Sequence, residues 1–329
     1  MLLAALVVVV FPTLARAEVS ELRIPLGAGG FGFLPLYMMQ KYKLIEKYAA
    51  ESGATITVNW ADLGSASLMN DILLSGTAHI ISAGPPGFLT LWDRTQSNMK
   101  VKGIAALSTL PVRITARFAE LSSIDAVTQQ QKIAVGAVKV SIASILMQMY
   151  AQKKYGKDQT YKFDLYTVPL PHPDALIALL SGTGGVVAHG SSVPFDSREM
   201  KDPRVKTILS SYDVLGGPAT FTMMSTTTKF YNENPKIMAA VHKALARAQE
   251  MIRDDKTDAA KVLLESMGGK GWSVDDLVQI LNDPTTIYTS KPEGVLAYAA
   301  FMYDAGSIKH KPEAIDELFF PAPAIAGGN

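Results

Sequence analysis

The sequence predicts an α/β fold of two similar lobes facing one cleft, and three observations carry that prediction. The chain is 329 residues long, which is long for one hydrophobic core and comfortable for two, at roughly 100 to 200 residues per domain. Residues 73–88, LLSGTAHIISAGPPGF, are nearly restated at residues 179–195, LLSGTGGVVAHGSSVPF. Aligned without a gap, Gly76 falls on Gly182, Thr77 on Thr183, Ile80 and Ile81 on Val186 and Val187, and Gly84 on Gly190. Each copy reads as helix, turn, strand, turn. The first glycine is free to take the left-handed conformation that closes a helix. The short apolar run after it suits a parallel strand buried on both faces, and a second glycine ends that strand. Third, short apolar runs elsewhere lead through glycine or serine into helical patterns. Ligands bind beyond the carboxyl ends of the strands in such sheets, so Gly84 and Gly190 mark one binding edge in each half.

Taken in order, the chain opens on the apolar run LLAALVVVVF, then Pro12 and the small-x-small sequence Ala15-Arg16-Ala17. That run is too short to span a bilayer and reads as a secretory signal peptide cleaved after Ala17, which sends the mature protein out of the cytoplasm. No basic residue precedes the run, so the true start lies upstream or the leader is atypical; the competing reading is an uncleaved anchor. Residues 22–26 form the first strand, followed by GAGGFG and a helix from Leu34. GAGGFG matches neither nucleotide-loop spacing. The second strand is residues 56–60, and Ser65 is placed to cap the next helix. After the first copy, Pro85-Pro86 suits the first turn of another helix. Residues 101–107 and 112–116 are strands, with a crossing between lobes near 108–112. Residues 133–137 and 163–168 are strands around a helix capped by Ser141, and a helix over 173–180 delivers the second copy. Residues 205–209 form a strand, and the return crossing lies near 212–219. A last strand at 221–225 precedes helices over 235–254, 257–267, 273–282 and 293–306. The first lobe is therefore discontinuous, 18–108 and 216–329, with a helical C-terminal jacket, and the second spans 109–215.

Charged residues make up 19% and hydrophobic residues 48% of the chain, a globular composition. Loss of the leader removes Arg16 and no acid, which leaves bases and acids equal in number. A neutral chain without basic clusters argues against nucleic acid. Zero cysteines exclude disulfides, a thiolate nucleophile and cysteine metal sites. The five histidines do not cluster at metal-ligand spacing, and no HExxH or GxSxG occurs. No catalytic residue, metal or cofactor is expected.

The candidate ligand-binding residues follow from the strand ends. In the first lobe these are Gly29, Gly30, Phe31, Trp60, Gly64, Ser65, Gly84 and Pro85. In the second they are Lys139, Val140, Ser141, His189, Gly190 and Ser191, with Arg113 beside the first crossing. Plain turn chemistry explains glycine at any single loop, but three successive strand ends point the same way. His189, at the last strand position before its loop, is expected to offer a ring nitrogen to the ligand; the bland alternative is a structural hydrogen bonder. His172 is read as a residue of helix initiation, and Trp60 and Phe31 as stacking or packing rings. A helix N-terminus contributes about 0.3 to 1 kcal/mol toward a nearby anion, and about 2 when partly buried. Micromolar binding takes about 8 kcal/mol. Side-chain hydrogen bonds from Ser65, Ser141 or Ser191, or a cation such as Lys139 or Arg113, must therefore add to it.

The residues resemble the periplasmic substrate-binding proteins of ABC importers, in the nitrate/sulfonate/taurine group. GFLPLYMMQKYKLIEK, NDILLSGTAHIISAGPP, HPDALIALLSG with VVAHGSSVPF, NPKIMAAVHKALARAQEMI and the leader carry the resemblance across the whole mature chain. Two departures stand out: His79 replaces an acidic residue common after the helix-ending glycine, and IDAVTQQQK replaces a DLKGK-like turn. The resemblance implies a type II periplasmic-binding fold that closes by its hinges around a small-molecule ligand and docks, as a monomer, on a membrane permease with its ATPase. The expected solute is a small anionic or zwitterionic organic molecule, sulfonate-, taurine-, nitrate- or carboxylate-like. Two alternatives are a biosynthetic enzyme on the same fold, making a pyrimidine or quinone precursor, and a receptor that feeds a sensor protein.

Overall fold

A computed structural model of the chain describes residues 17–26, 30–61 and 69–329. The leader up to Arg16 and the candidate residues Gly29, Gly64 and Ser65 lie outside the described residues. Ten strands are described: β1 (Glu21–Arg23), β2 (Thr57–Asn59), β3 (Ile81–Ala83), β4 (Val101–Thr109), β5 (Arg113–Arg117), β6 (Lys132–Val135), β7 (Thr167–Pro169), β8 (Val186–Ser191), β9 (Val205–Ser210) and β10 (Thr220–Thr227). One lobe holds β1 paired with β2 and a sheet of order β3-β10-β4; the other holds a sheet of order β7-β6-β8-β5-β9. The second sheet takes all its strands from one continuous stretch of chain. Among the described residues, no helix is long and apolar enough to cross a membrane.

The apolar runs become strands where both faces are covered. All residues of β4 except Lys102 are buried, and so are all six of β8. Helices supply the cover. In Pro235–Asp254 the buried residues Ile237, Val241, Ala244, Leu245, Ala248 and Ile252 recur at three- and four-residue spacing, the stripe that a helix lays on a core. That stripe joins Leu22, Ile24, Met223, Leu263, Tyr298 and Phe301 in the first lobe's core. The second lobe has its own core of Ile114, Ile133, Val135, Leu146, Met147, Phe163 and Val187. The jacket helices stand close to their expected bounds, as Lys256–Ser266, Val274–Leu281 and Val295–Asp304.

Three expectations change. The sheets are mixed and not mostly parallel: β10 runs antiparallel to β3 and β4, and β5 antiparallel to β8 and β9, because each is the strand by which the chain enters or re-enters a lobe. The parallel pairs are β1 with β2, and β6 with β7 and β8. Gly190 does not end its strand, since Ile114 pairs with Gly190 and Arg113 with Ser191, carrying the ladder one residue further. Residues 164–166 form a 3-10 turn and not strand: Asp164 accepts hydrogen bonds from Gln148, and the Thr167 hydroxyl donates to the Asp164 carbonyl at 2.7 Å.

Candidate functional site

The first turn of the helix Ile142–Tyr155 is where the repeated segments meet. Ser141 caps it as expected, its hydroxyl accepting from the Ser144 amide at 3.3 Å. Gly190 lies beneath: a Cβ built there would stand 2.6 Å from the Cβ of Ala143, so only glycine lets β8 pack this close. Gly84 lies opposite, from the other lobe. It precedes the helix Pro85–Arg94, with Pro85 buried at a first-turn position where a missing N–H costs nothing. A Cβ on Gly84 would stand 3.0 Å from Ile142 Cδ1 and 3.3 Å from the carbonyl oxygen of Phe221. The two copies of the repeat thus reach one helix start, one from each lobe.

Other candidates are placed differently. Phe31 is buried in the first lobe's core, with its carbonyl accepting from the Tyr288 hydroxyl at 3.0 Å, so its ring is packing and not a stacking platform. Trp60 packs on the same core from its edge. Gly30 takes φ 93° ahead of a short 3-10 turn over Phe31–Phe33, a conformation suited to glycine. Lys139 and Val140 are exposed and border a surface cavity of about 630 Å³ together with Gln148 and Asp164. Burial raises the Asp164 carboxyl, against the Gln148 hydrogen bond and the charge of Lys139. Arg113 is engaged within the protein, its Nη1 2.6 Å from Asp196 Oδ2 and its Nη2 3.4 Å from Thr285 Oγ1. Burial raises Asp196, and Arg113 opposes it.

His189 is a correction. It is fully buried, and both ring nitrogens are taken: Nδ1 lies 2.5 Å from Glu199 Oε1 and Nε2 lies 2.9 Å from His172 Nδ1. The β8 position that looked like a strand end is a ladder interior, which turns the ring into the lobe. Glu199 is also fully buried, its second oxygen accepting from the Thr115 hydroxyl at 2.5 Å. His172 stacks on Phe195 at 5.3 Å between centroids. Its own titration is held down to about 4 by burial and by His189. Ser191 Oγ is buried and makes no hydrogen bond within the described residues. Sequence reasoning missed Thr115, Glu199 and Asp196 and dismissed His172. The available signal was the pair of acids in residues 195–199, directly after the second copy. His79, the departure from the resembled pattern, has both ring nitrogens near Arg23, at 3.2 Å from its amide and 2.8 Å from Nη2, and stacks on Phe230. No group of three potential metal ligands occurs among the described residues.

No protein-family model matches the sequence, and no curated protein does. Solved structures do match in shape. The periplasmic aliphatic sulphonate binding protein SsuA of Escherichia coli superposes with a TM-score of 0.66 at 15% identity, over 95% of this chain and 96% of that one. The periplasmic nitrate-binding protein NrtA of Synechocystis PCC 6803 gives 0.61 at 14%, over 92% and 86%. The Candida albicans CA3427 product, described as having the generic periplasmic binding protein fold, gives 0.63 at 13%, over 94% and 99%. The chain has the periplasmic-binding-protein fold. Within that fold, the contact of Gly84 with Ile142 lies between the two lobes.

Proposed function

We propose that this chain is an extracytoplasmic solute receptor of the nitrate/sulfonate/taurine group, which binds a small anionic or zwitterionic organic solute between its lobes. On this reading the lobes are residues 18–108 with 216–329, and 109–215, with hinge crossings near 108–112 and 212–219. The leader is cleaved after Ala17, the mature monomer works in the periplasm, and it hands its solute to the permease and ATPase of an ABC importer. The observation that carries the reading is the approach of two helix starts, Pro85 and Ile142, from opposite lobes, with glycine where they touch. Helix starts carry unpaired N–H groups and partial positive charge, so a pair converging on one point favours an anion. The shape shared with sulfonate- and nitrate-binding proteins supports it.

A solute drives closure only by binding the closed arrangement better than the open one. The test is a thermal-shift screen of the mature protein against alkanesulfonates, nitrate, carboxylates, amino-pyrimidines and aromatic acids. A solute at 100 times its dissociation constant adds about 2.7 kcal/mol to stability. A clear rise in melting temperature with one class is expected. No rise with any of them, or turnover of a hit by purified protein, overturns the receptor reading.

A further inference from the structure

A buried polar chain in the second lobe runs from Glu199 through His189 to His172. Asp196 is matched by Arg113, which leaves Glu199 with His189 as the basic group in contact with it. Both side chains are fully removed from solvent. A carboxylate without a matching cation is costly there, and one proton shared by the pair would make it neutral as a unit. Whether that proton rests on Glu199 or on His189 Nδ1, His189 keeps a hydrogen on Nε2. That hydrogen points at His172 Nδ1, 2.9 Å away, which must then be the acceptor. A neutral His172 ring carries its own hydrogen on the other nitrogen, Nε2.

His172 is half-buried, and its Nε2 lies beside Gly136. A Cβ built on Gly136 would lie 3.4 Å from it. Gly136 is exposed and follows β6 at the carboxyl end of the second lobe's sheet, on the way to Ser141 and the helix Ile142–Tyr155. The absence of a side chain at Gly136 leaves the nitrogen uncovered from that side. Phe195 backs the ring on its face.

We infer that Glu199 and His189 share that proton, that His172 is the second lobe's ligand-contacting residue, donating a hydrogen bond from Nε2 to an acceptor atom of the solute, and that Glu199 and His189 are positioning residues that hold it in this tautomer. The inference rests on the receptor reading and sharpens it: the solute presents an oxygen or unprotonated nitrogen to the second lobe, so sulfonates, carboxylates and carbonyl heterocycles fit and donor-only amines do not. His189, expected from the sequence to touch the solute itself, acts one step behind.

Two measurements on the mature chain test it. Long-range nitrogen–proton spectra of histidine-labelled protein without solute report the tautomers. His172 is expected as the Nε2–H form, shifting toward Nδ1–H in Glu199→Gln. An Nδ1–H ring in the unaltered protein overturns the inference whatever the protein binds. Calorimetry with butanesulfonate, benzoate and benzylamine then probes the contact. His172→Phe keeps the stack on Phe195 and is expected to weaken the acceptor-bearing probes about tenfold, while His172→Gln, which retains a donor, recovers part of it; one hydrogen bond to a charged group is of that size. Unchanged affinity in His172→Phe, or preference for benzylamine, overturns the contact. Binding of no probe by the unaltered protein overturns the receptor reading and the contact together, and the tautomer result still decides the relay.

Discussion

Gly76 and Gly182 show how the repeat works at the scale of single residues. Both take the left-handed conformation at φ 74°, Gly182 directly after its helix and Gly76 one residue further on, as the sequence pattern requires. Their surroundings differ: a Cβ at Gly76 meets open space, whereas at Gly182 it meets the Arg117 guanidinium. Gly76→Ala is therefore expected to lose about 1 kcal/mol, the cost of the conformation alone. Gly182→Ala should lose more, as read by urea unfolding; equal losses would remove Arg117 from the account. Histidines set the acid response. Burial, with Arg23 beside it, lowers His79 to about 4, and burial with His189 lowers His172 likewise. These rings are neutral in the fold, while the unfolded chain takes up protons near pH 6.5. Their stabilisation is complete above that pH and is lost as pH falls toward 4. Melting temperature should decline across this window, with a shallower decline in His79→Gln; a flat profile in the parent protein would contradict the assignment.

At the scale of elements, one helix start organises the second lobe. Ser141→Ala removes the cap of the helix Ile142–Tyr155 and should cost about 1 kcal/mol, seen as a lower urea midpoint with unchanged slope. Gly190→Ala drives a methyl group into Ala143 beneath the same turn and should cost about 1 to 3 kcal/mol by overpacking. A loss below that range would mean the helix can ride outward freely. The first lobe's jacket has a matching device, a capping box in which Ser273 and Asp276 serve one another at the start of Val274–Leu281.

For the whole molecule, side-chain contacts join the stretch that carries the five-stranded sheet to the C-terminal helices. The Arg198 guanidinium lies 4.0 Å above the Trp272 ring and donates to the Gly271 carbonyl, and Lys201 pairs with Asp276 at 2.7 Å. On another flank the Tyr161 hydroxyl donates to the Ala305 carbonyl at 3.3 Å, and Arg113 and Tyr212 both reach Thr285. These contacts favour the arrangement in which Gly84 meets Ile142. Trp272→Ala gives up a cation–π contact of about 0.5 to 1 kcal/mol. On the proposed receptor reading, it should raise the solute-free radius of gyration in small-angle scattering and weaken solute binding roughly two- to fivefold. An unchanged radius and affinity would show that the Trp272 contact does not favour closure.

The order of strands and helices was legible because each depends on local chemistry: glycine after Ser75 and after Ser181, the Ser141 cap, and the apolar stripe of Pro235–Asp254. The C-terminal jacket was legible for the same reason. What stayed hidden depends on partners distant in the chain. A run such as VVAHGS fixes a buried strand, but only pairing with Arg113 and Ile114 carries it past Gly190 and turns His189 inward. Nothing near His172 announces Glu199, since the two meet only through His189 and the packing of residues 195–199 beneath the sheet. By itself the sequence determined two glycine-punctuated α/β halves, because helix ends and buried strands are written in adjacent residues. The tertiary structure alone decided that His189 is buried between Glu199 and His172 and that His172 lies beside Gly136, because these contacts join residues that are not neighbours in the chain.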